Sequence, residues 1–336
     1  MTLTEPSANP DANPDASPPS GRRPVRDPDA AFAAIVARLS RQSVDKHFDA
    51  YADIPWDDPD YAVDPADPRW QLWEGDGLAN TEWFQAQPPQ RQSRIALHRL
   101  AATMRTGWQF ESILQRGLLS YTFRLPNGSA EFRYLHHEII EESQHTLMFQ
   151  EFVNRSGLPA TGMPRPLAFL AEHVIIRLSR RDPTLFFLFV LGGEDPADHM
   201  QRTRLRAGVA HPLFERIIRI HVTEEARHIS FARNYLRTEV PKLSRFHRLR
   251  LSLRAPILYG IMTRMMVQPP AQLASTYAIP RSVMQAAKRD PGQRAMLAGA
   301  AAKPRKLCQD LGLVTRLTRP LWNLMGLTET AGADAG

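Results

Sequence analysis

The chain has 336 residues, 43% hydrophobic and 23% charged, with a net charge of +7 and a single cysteine, Cys308. Such a length admits one large core or two smaller ones. One thiol excludes an intramolecular disulfide framework, a cysteine-based zinc finger and an iron–sulfur cluster, which fits a reducing cytoplasm.

Residues 1–28 hold seven prolines among Ala, Asp, Asn and Ser. They carry too little apolar surface to offset their ordering entropy, so they read as a disordered tail. The opening MTLTEPSANP has no basic stretch leading into an apolar one, so no secretory signal is expected. A single helical domain is expected over 29–328, followed by a short disordered tail at 329–336. Its first helix spans about Ala30 to Ser43, and the Asp-, Pro- and Trp-rich stretch from Asp49 to Trp73 reads as an irregular segment draped over the domain.

From about Arg91 the pattern is helical. Leu97, Ala101, Met104, Trp108, Glu111 and Leu118 recur at helical spacing, which places Glu111 on an apolar stripe. After the Pro126–Gly128 loop a second helix, Ala130 to about Val153, aligns Phe132, Leu135, Ile139, Glu142, Thr146, Phe149 and Phe152. A third is expected from about Pro166 into the Phe186–Leu191 core, with a break or kink near Gly192, Gly193 and Pro196. Its most apolar run, Thr184 to Gly193, is about half the roughly 20 residues that cross a bilayer, so no transmembrane segment is expected. The fourth, His211 to Leu236, aligns Phe214, Ile217, His221, Glu225, His228 and Ala232. Beyond it, Arg245, His247, Arg248, Arg250 and Arg254 form a basic cluster without any nucleic-acid-binding pattern, which reads as a solvated helix face. The expected fold is all-α, a four-helix bundle core with extra N- and C-terminal helices.

Two E-E-x-x-H motifs, Glu141 to His145 and Glu224 to His228, carry the chemistry. Residues i and i+3 share a helix face, so Glu142 with His145 and Glu225 with His228 can each offer a carboxylate and an imidazole to one metal. Glu111 precedes Glu142 by 31 residues and Glu194 precedes Glu225 by 31, so one offset of 83 relates the two sets. Four acids on buried stripes would repel one another unless divalent cations neutralise them. One Glu from each of two helices and Glu-x-x-His from each of two others is the ligand pattern of ferritin-like di-iron and di-manganese proteins. Asp195 and His199 stand in reserve for Glu194 should the helix register shift. Glu141 and Glu224 read either as hydrogen-bond partners of the ligating histidines or as solvent-facing acids.

His221 lies four residues before Glu225 on the same stripe, and read alone it is either a ligand or a core histidine satisfied by a hydrogen bond. With it, the set Glu111, Glu142-x2-His145, Glu194 and His221-x3-Glu225-x2-His228 resembles the p-aminobenzoate N-oxygenase family of di-iron arylamine oxygenases, over roughly Arg91 to Tyr235. The resemblance implies that His221 is a seventh ligand. It further implies two iron ions (manganese is the alternative), O2 as co-substrate, an external electron donor, and oxygen transfer to the nitrogen of a small organic amine. A homodimer is compatible with it. The same ligand types also serve hydroxylases, desaturases and ferritin-like proteins that bind metal without turnover. The long flanking segments favour an enzyme, because they suffice to enclose a cavity.

Overall fold

The computed structural model describes residues 27–73 and 75–327, and among these there is no β-strand. The two expected tails lie outside the described residues, except for Asp27 and Pro28. Those two open α1 (Pro28–Asp45), where the Asp27 carboxylate accepts from the Asp29 amide and Pro28 takes a first-turn position that needs no donor. Residues 46–73 form the expected irregular segment, with one 3₁₀ turn at Pro59–Tyr61. It is held down by buried Ile54, Trp56 and Trp70, the last stacked on His211 at 3.7 Å.

A short α2 (Glu82–Gln85) precedes α3 (Pro89–Thr122) and α4 (Ala130–Ser156), which pack along each other. Gln115 of α3 fixes their register by donating to the Glu142 carbonyl and to Thr146 Oγ1, both at 3.0 Å. Phe132, aligned with the inner stripe by spacing, is instead half exposed in the first turn of α4.

The third expected helix is two units. α5 (Arg165–Leu170) continues through a π-helical turn at Ala171–Ile175 into α6 (Ile176–Arg181), and a separate helix, α7, covers Pro183–Ala207. The division falls at Asp182 because a residue before proline is driven out of the helical region. Asp182 has φ −147° and ψ 70°, and its carboxylate caps the Leu185 amide. Of the break or kink expected around Gly192 to Pro196, the break does not occur, and α7 is helical without interruption. Gly193 serves packing there: a Cβ would sit 2.1 Å from the Phe110 ring, so glycine is what lets α7 approach α3.

α8 (Pro212–Glu239) packs along α7, and α1 lies across α4 and α8. The chain then adds α9 (Arg245–Val267) against α7, short α10 (Ala271–Tyr277) and α11 (Arg281–Arg289), α12 (Pro291–Asp310) against α7 and α9, and α13 (Arg319–Leu324) against α9. The core of the α3, α4, α7 and α8 bundle has two apolar clusters. One contains Phe110, Leu114, Phe186, Phe187 and Phe231; the other contains Leu97, Met104, Phe149, Phe152 and Ile218. Along α8, His221, Glu225 and His228 fall between these clusters, after Ile220 of the second and before Ile229 of the first.

Candidate metal centre

Each bundle helix brings carboxylates or imidazoles to one level. α3 supplies Glu111, α4 Glu142 and His145, α7 Glu194, and α8 His221, Glu225 and His228, all buried. Their ligand atoms fall into three overlapping groups, each within 4.8 Å: Glu111, His145, His221 and Glu225; Glu142, Glu225 and His228; and Glu111, Glu142 and Glu194. Glu111, Glu142 and Glu225 each belong to two groups, so the arrangement is compatible with two cations that share carboxylates. Asp195 does not substitute for Glu194, because it turns away to pair with Arg233. His199 points towards Gly299 of α12.

The histidines are oriented from outside. His145 Nε2 meets Glu224 Oε2 at 2.9 Å and His228 Nε2 meets Glu141 Oε2 at 2.8 Å, so each acid beside one motif serves the imidazole of the other. Both acids are therefore buried partners and neither faces solvent. With each Nε2 engaged, each Nδ1 faces inward: His145 Nδ1 lies 3.2 Å from Glu142 and 3.4 Å from Glu225. His228 Nδ1 is 2.8 Å from Glu142 Oε1, yet neither atom has a hydrogen bond of acceptable geometry. Arg227 joins the two outer acids, 2.8 Å from Glu141 and 3.6 Å from Glu224. The irregular segment closes the shell, since the Phe48 amide donates to Glu224 Oε1 at 3.1 Å and the Ala50 amide to Gln144 at 2.9 Å.

The electrostatics of these side chains left to themselves are divided. Burial, reinforced by Glu142 and Glu225, pushes the Glu111 carboxyl well up, and burial with Glu225 does the same to Glu194. Burial also opposes ionisation of Glu142 and Glu225, but His228 and His145 prevail and draw Glu142 down to about 2 and Glu225 well below the carboxylate range. Conversely, burial disfavours charge on His145 and His228, but the surrounding carboxylates hold both well above the usual imidazole value. For His221 burial wins, and its value falls to about 4.

A test of fit comes from atoms without partners. Glu111 Oε2, Glu142 Oε1, Glu194 Oε1, both oxygens of Glu225 and Nδ1 of His228 are buried without a hydrogen bond. An unsatisfied buried acceptor costs about 1–3 kcal/mol, and a cluster of them facing one point suits cations. The donor set therefore fits a di-metal centre of carboxylates and imidazoles.

Sequence reading missed Glu138. It is buried, and burial, with Glu142 and Glu225 adding to it and His228 opposing, takes its carboxyl to about 8. The signal was present, because Glu138 stands one turn before Glu142 on the same stripe. A cavity of about 60 Å3 abuts Glu111, Glu194 and His221, walled by Met104, Phe110, Phe149 and Met266. Trp73, Arg204 and Phe214 separate it from an outer cleft beside Trp70 and His211.

The profile of the family described as P-aminobenzoate N-oxygenase AurF matches residues 29–312. Uncharacterized proteins of Mycobacterium bovis and of two Mycobacterium tuberculosis strains, H37Rv and CDC 1551, are each 43% identical over 298 residues, spanning 88% of this chain and 87% of theirs. No solved structure matches. No helix among the described residues is long and apolar enough to cross a membrane.

Proposed function

This chain belongs to the p-aminobenzoate N-oxygenase family, and from that premise we propose that it is an O2-dependent di-iron oxygenase acting on the nitrogen of an arylamine or related amine. The observation that carries the proposal is the buried seven-residue cluster, in which Glu224 and Glu141 engage the outer nitrogens of His145 and His228 while oxygens of Glu111, Glu142, Glu194 and Glu225 lack partners. Glu111, Glu142, His145, Glu194, His221, Glu225 and His228 would hold two irons, which when bound supply O2 binding and electron transfer.

The chain's own residues contribute the rest. Glu224 and Glu141 fix the ring orientation of His145 and His228, and such partners strengthen imidazoles as ligands. The Glu138 carboxyl keeps its proton at neutral pH because of its burial, and holds it four residues from Glu142. Met104, Phe110, Phe149 and Met266 make the cavity wall apolar, which excludes water from the reacting nitrogen. A cavity of about 150 Å3 is known to take benzene, whereas this one measures about 60 Å3. An aromatic amine therefore requires the partition of Trp73, Arg204 and Phe214 to shift. The balance of the step is amine plus O2, two electrons and two protons to hydroxylamine and water, with an external donor supplying the electrons.

The test is anaerobic reconstitution with ferrous iron, admission of O2 with a chemical reductant, and mass analysis of a panel of arylamines. Two irons per chain and a product one oxygen atom heavier are expected. Oxygen incorporated at carbon would point to a hydroxylase. Iron taken up and oxidised without any organic product would support the storage reading and overturn this one.

A further inference from the structure

The basic cluster on α9 finds no role in the metal centre. Between Leu243 and Leu327 the chain has fourteen Lys and Arg but only two acids, Asp290 and Asp310. Asp290 caps α12 and Asp310 pairs with Lys306, so neither offsets α9. From the elements packed nearby, Asp182 meets Arg254 at 3.6 Å.

The inner face of α9, with Ala255, Tyr259, Met262 and Met266, is buried against the bundle. Its outer face is apolar as well. Phe246, Leu249, Ile257 and Ile261 are exposed, Phe246 by 64%, and with half-buried Leu253 their spacing keeps them on one stripe about 22 Å long. The following C-terminal segment packs on α9, with Trp322 against Tyr259 at 6.0 Å and the Arg248 guanidinium on the Leu311 carbonyl at 3.0 Å. That segment also exposes apolar side chains, Leu317 by 65% and Leu324 by 76%. Arg245, Arg250, Arg316 and Arg319 are exposed on these same two segments.

We propose that this face of α9, with the 316–324 segment, docks the protein reversibly on an anionic lipid bilayer. Large apolar side chains flanked by arginines of one sign match the acyl and headgroup layers of such a surface, where long basic side chains reach the phosphates while apolar ones enter the hydrocarbon. A second copy of the chain is disfavoured as occupant, because two such faces would bring arginines of like charge together. A nucleic acid would leave the apolar stripe uncovered. Among the other exposed apolar side chains, Phe169, Leu170 and Val174 flank Glu172, whose pairing with Arg116 at 3.3 Å puts acid and base side by side there.

The test is co-sedimentation of the full chain with vesicles of phosphatidylcholine alone and of phosphatidylcholine with phosphatidylglycerol. Binding is expected only to the anionic vesicles and should weaken with salt. The double variant Arg245→Glu/Arg250→Glu and the single variant Ile257→Asp should each weaken it at least about tenfold. Ile257 is exposed, so thermal melting verifies that its variant keeps the fold. Equal binding to both vesicle types, no binding to either, or variants that bind like the parent would overturn the proposal. So would a solution dimer that Ile257→Asp dissociates. Vesicle binding does not depend on the metal chemistry, so this result and that of the oxygenation assay are separable.

Discussion

The two halves of the metal centre are related residue by residue through the offset of 83, and they differ at one telling position. Glu111 answers to Glu194, Glu141 to Glu224, Glu142 to Glu225 and His145 to His228, but His221 answers to Glu138. Both odd residues stand one turn before the shared carboxylate of their own helix, and both are buried. Burial moves them in opposite directions, the acid up to about 8 and the imidazole down to about 4, so that each is uncharged at neutral pH. Without a paired opposite charge of its own, each odd residue stays neutral, and the choice of group decides whether that half offers an inward nitrogen. His221 Nε2 lies 3.6 Å from Glu111 and 3.5 Å from Glu225.

The largest expected effect tests what the halves share. Glu142→Ala and Glu225→Ala should each take iron content from two per chain to below one, measured by elemental analysis after anaerobic reconstitution. Each also strands buried imidazolium groups, so the iron-free protein should lose about 3–5 kcal/mol in denaturant unfolding. Two irons retained in both variants would mean that neither carboxylate is a ligand.

The next pair breaks the asymmetry itself. His221→Ala should keep its fold and at least one iron yet lose most amine oxygenation, with a changed Mössbauer spectrum. Glu138→Ala should keep both irons. If His221→Ala leaves the spectrum and turnover intact, His221 is a core histidine and the two halves are equivalent.

A smaller effect is expected one layer out. Glu224→Gln and Glu141→Gln retain shape while weakening the hold on His145 and His228, and each should lower metal affinity by about 10–100-fold in a chelator competition. Unequal losses would show which half dominates. Unchanged affinity in both would remove the orienting role assigned to these acids.

The mildest effect is a pH trend. His145 and His228 have folded-state values raised above their unfolded ones. Their contribution to stability is therefore fully present below the ordinary imidazole value of 6.5 and is lost as pH rises through the raised values. Glu111 and Glu194, also raised, act in the same sense. The iron-free protein should melt at progressively lower temperature as pH rises above about 6.5, while metal uptake strengthens because protons leave the donors. Melting that rises with pH in the iron-free protein would contradict the charge division described for the site.

Much of this arrangement was legible in the sequence, for identifiable reasons. Two E-E-x-x-H motifs on amphipathic stripes, with equal spacing to the preceding Glu, are local facts about helices, and the structure brings all seven named residues together. The crossed pairing of Glu141 with His228 and Glu224 with His145 was not legible, because it depends on how α4 and α8 face each other. Nor was the continuity of α7 through Pro196. Local propensity argued for a break there, whereas the close approach of Gly193 to Phe110 is a tertiary contact. The break at Asp182 was readable from the following proline, but the apolar run beyond it suggested one unbroken helix. Glu138 was passed over because an acid in the run Glu138, Glu141, Glu142 looks solvated until the packing of α4 is known.

The hydrogen bond from the Phe48 amide to Glu224 spans 176 residues of chain. During synthesis the irregular segment leaves the ribosome long before α8 exists, and a contact so distant in sequence forms only after the loop between its ends has closed. The acid that orients His145 thus acquires its backbone clamp only once α8 has been made. A nascent chain that ends before α8 lacks Glu224 and leaves His145 Nε2 without its carboxylate. Completion of the centre is in this way tied to completion of the bundle, since a chain ending before α8 carries Glu111, Glu142, His145 and Glu194 but lacks His221, Glu225 and His228.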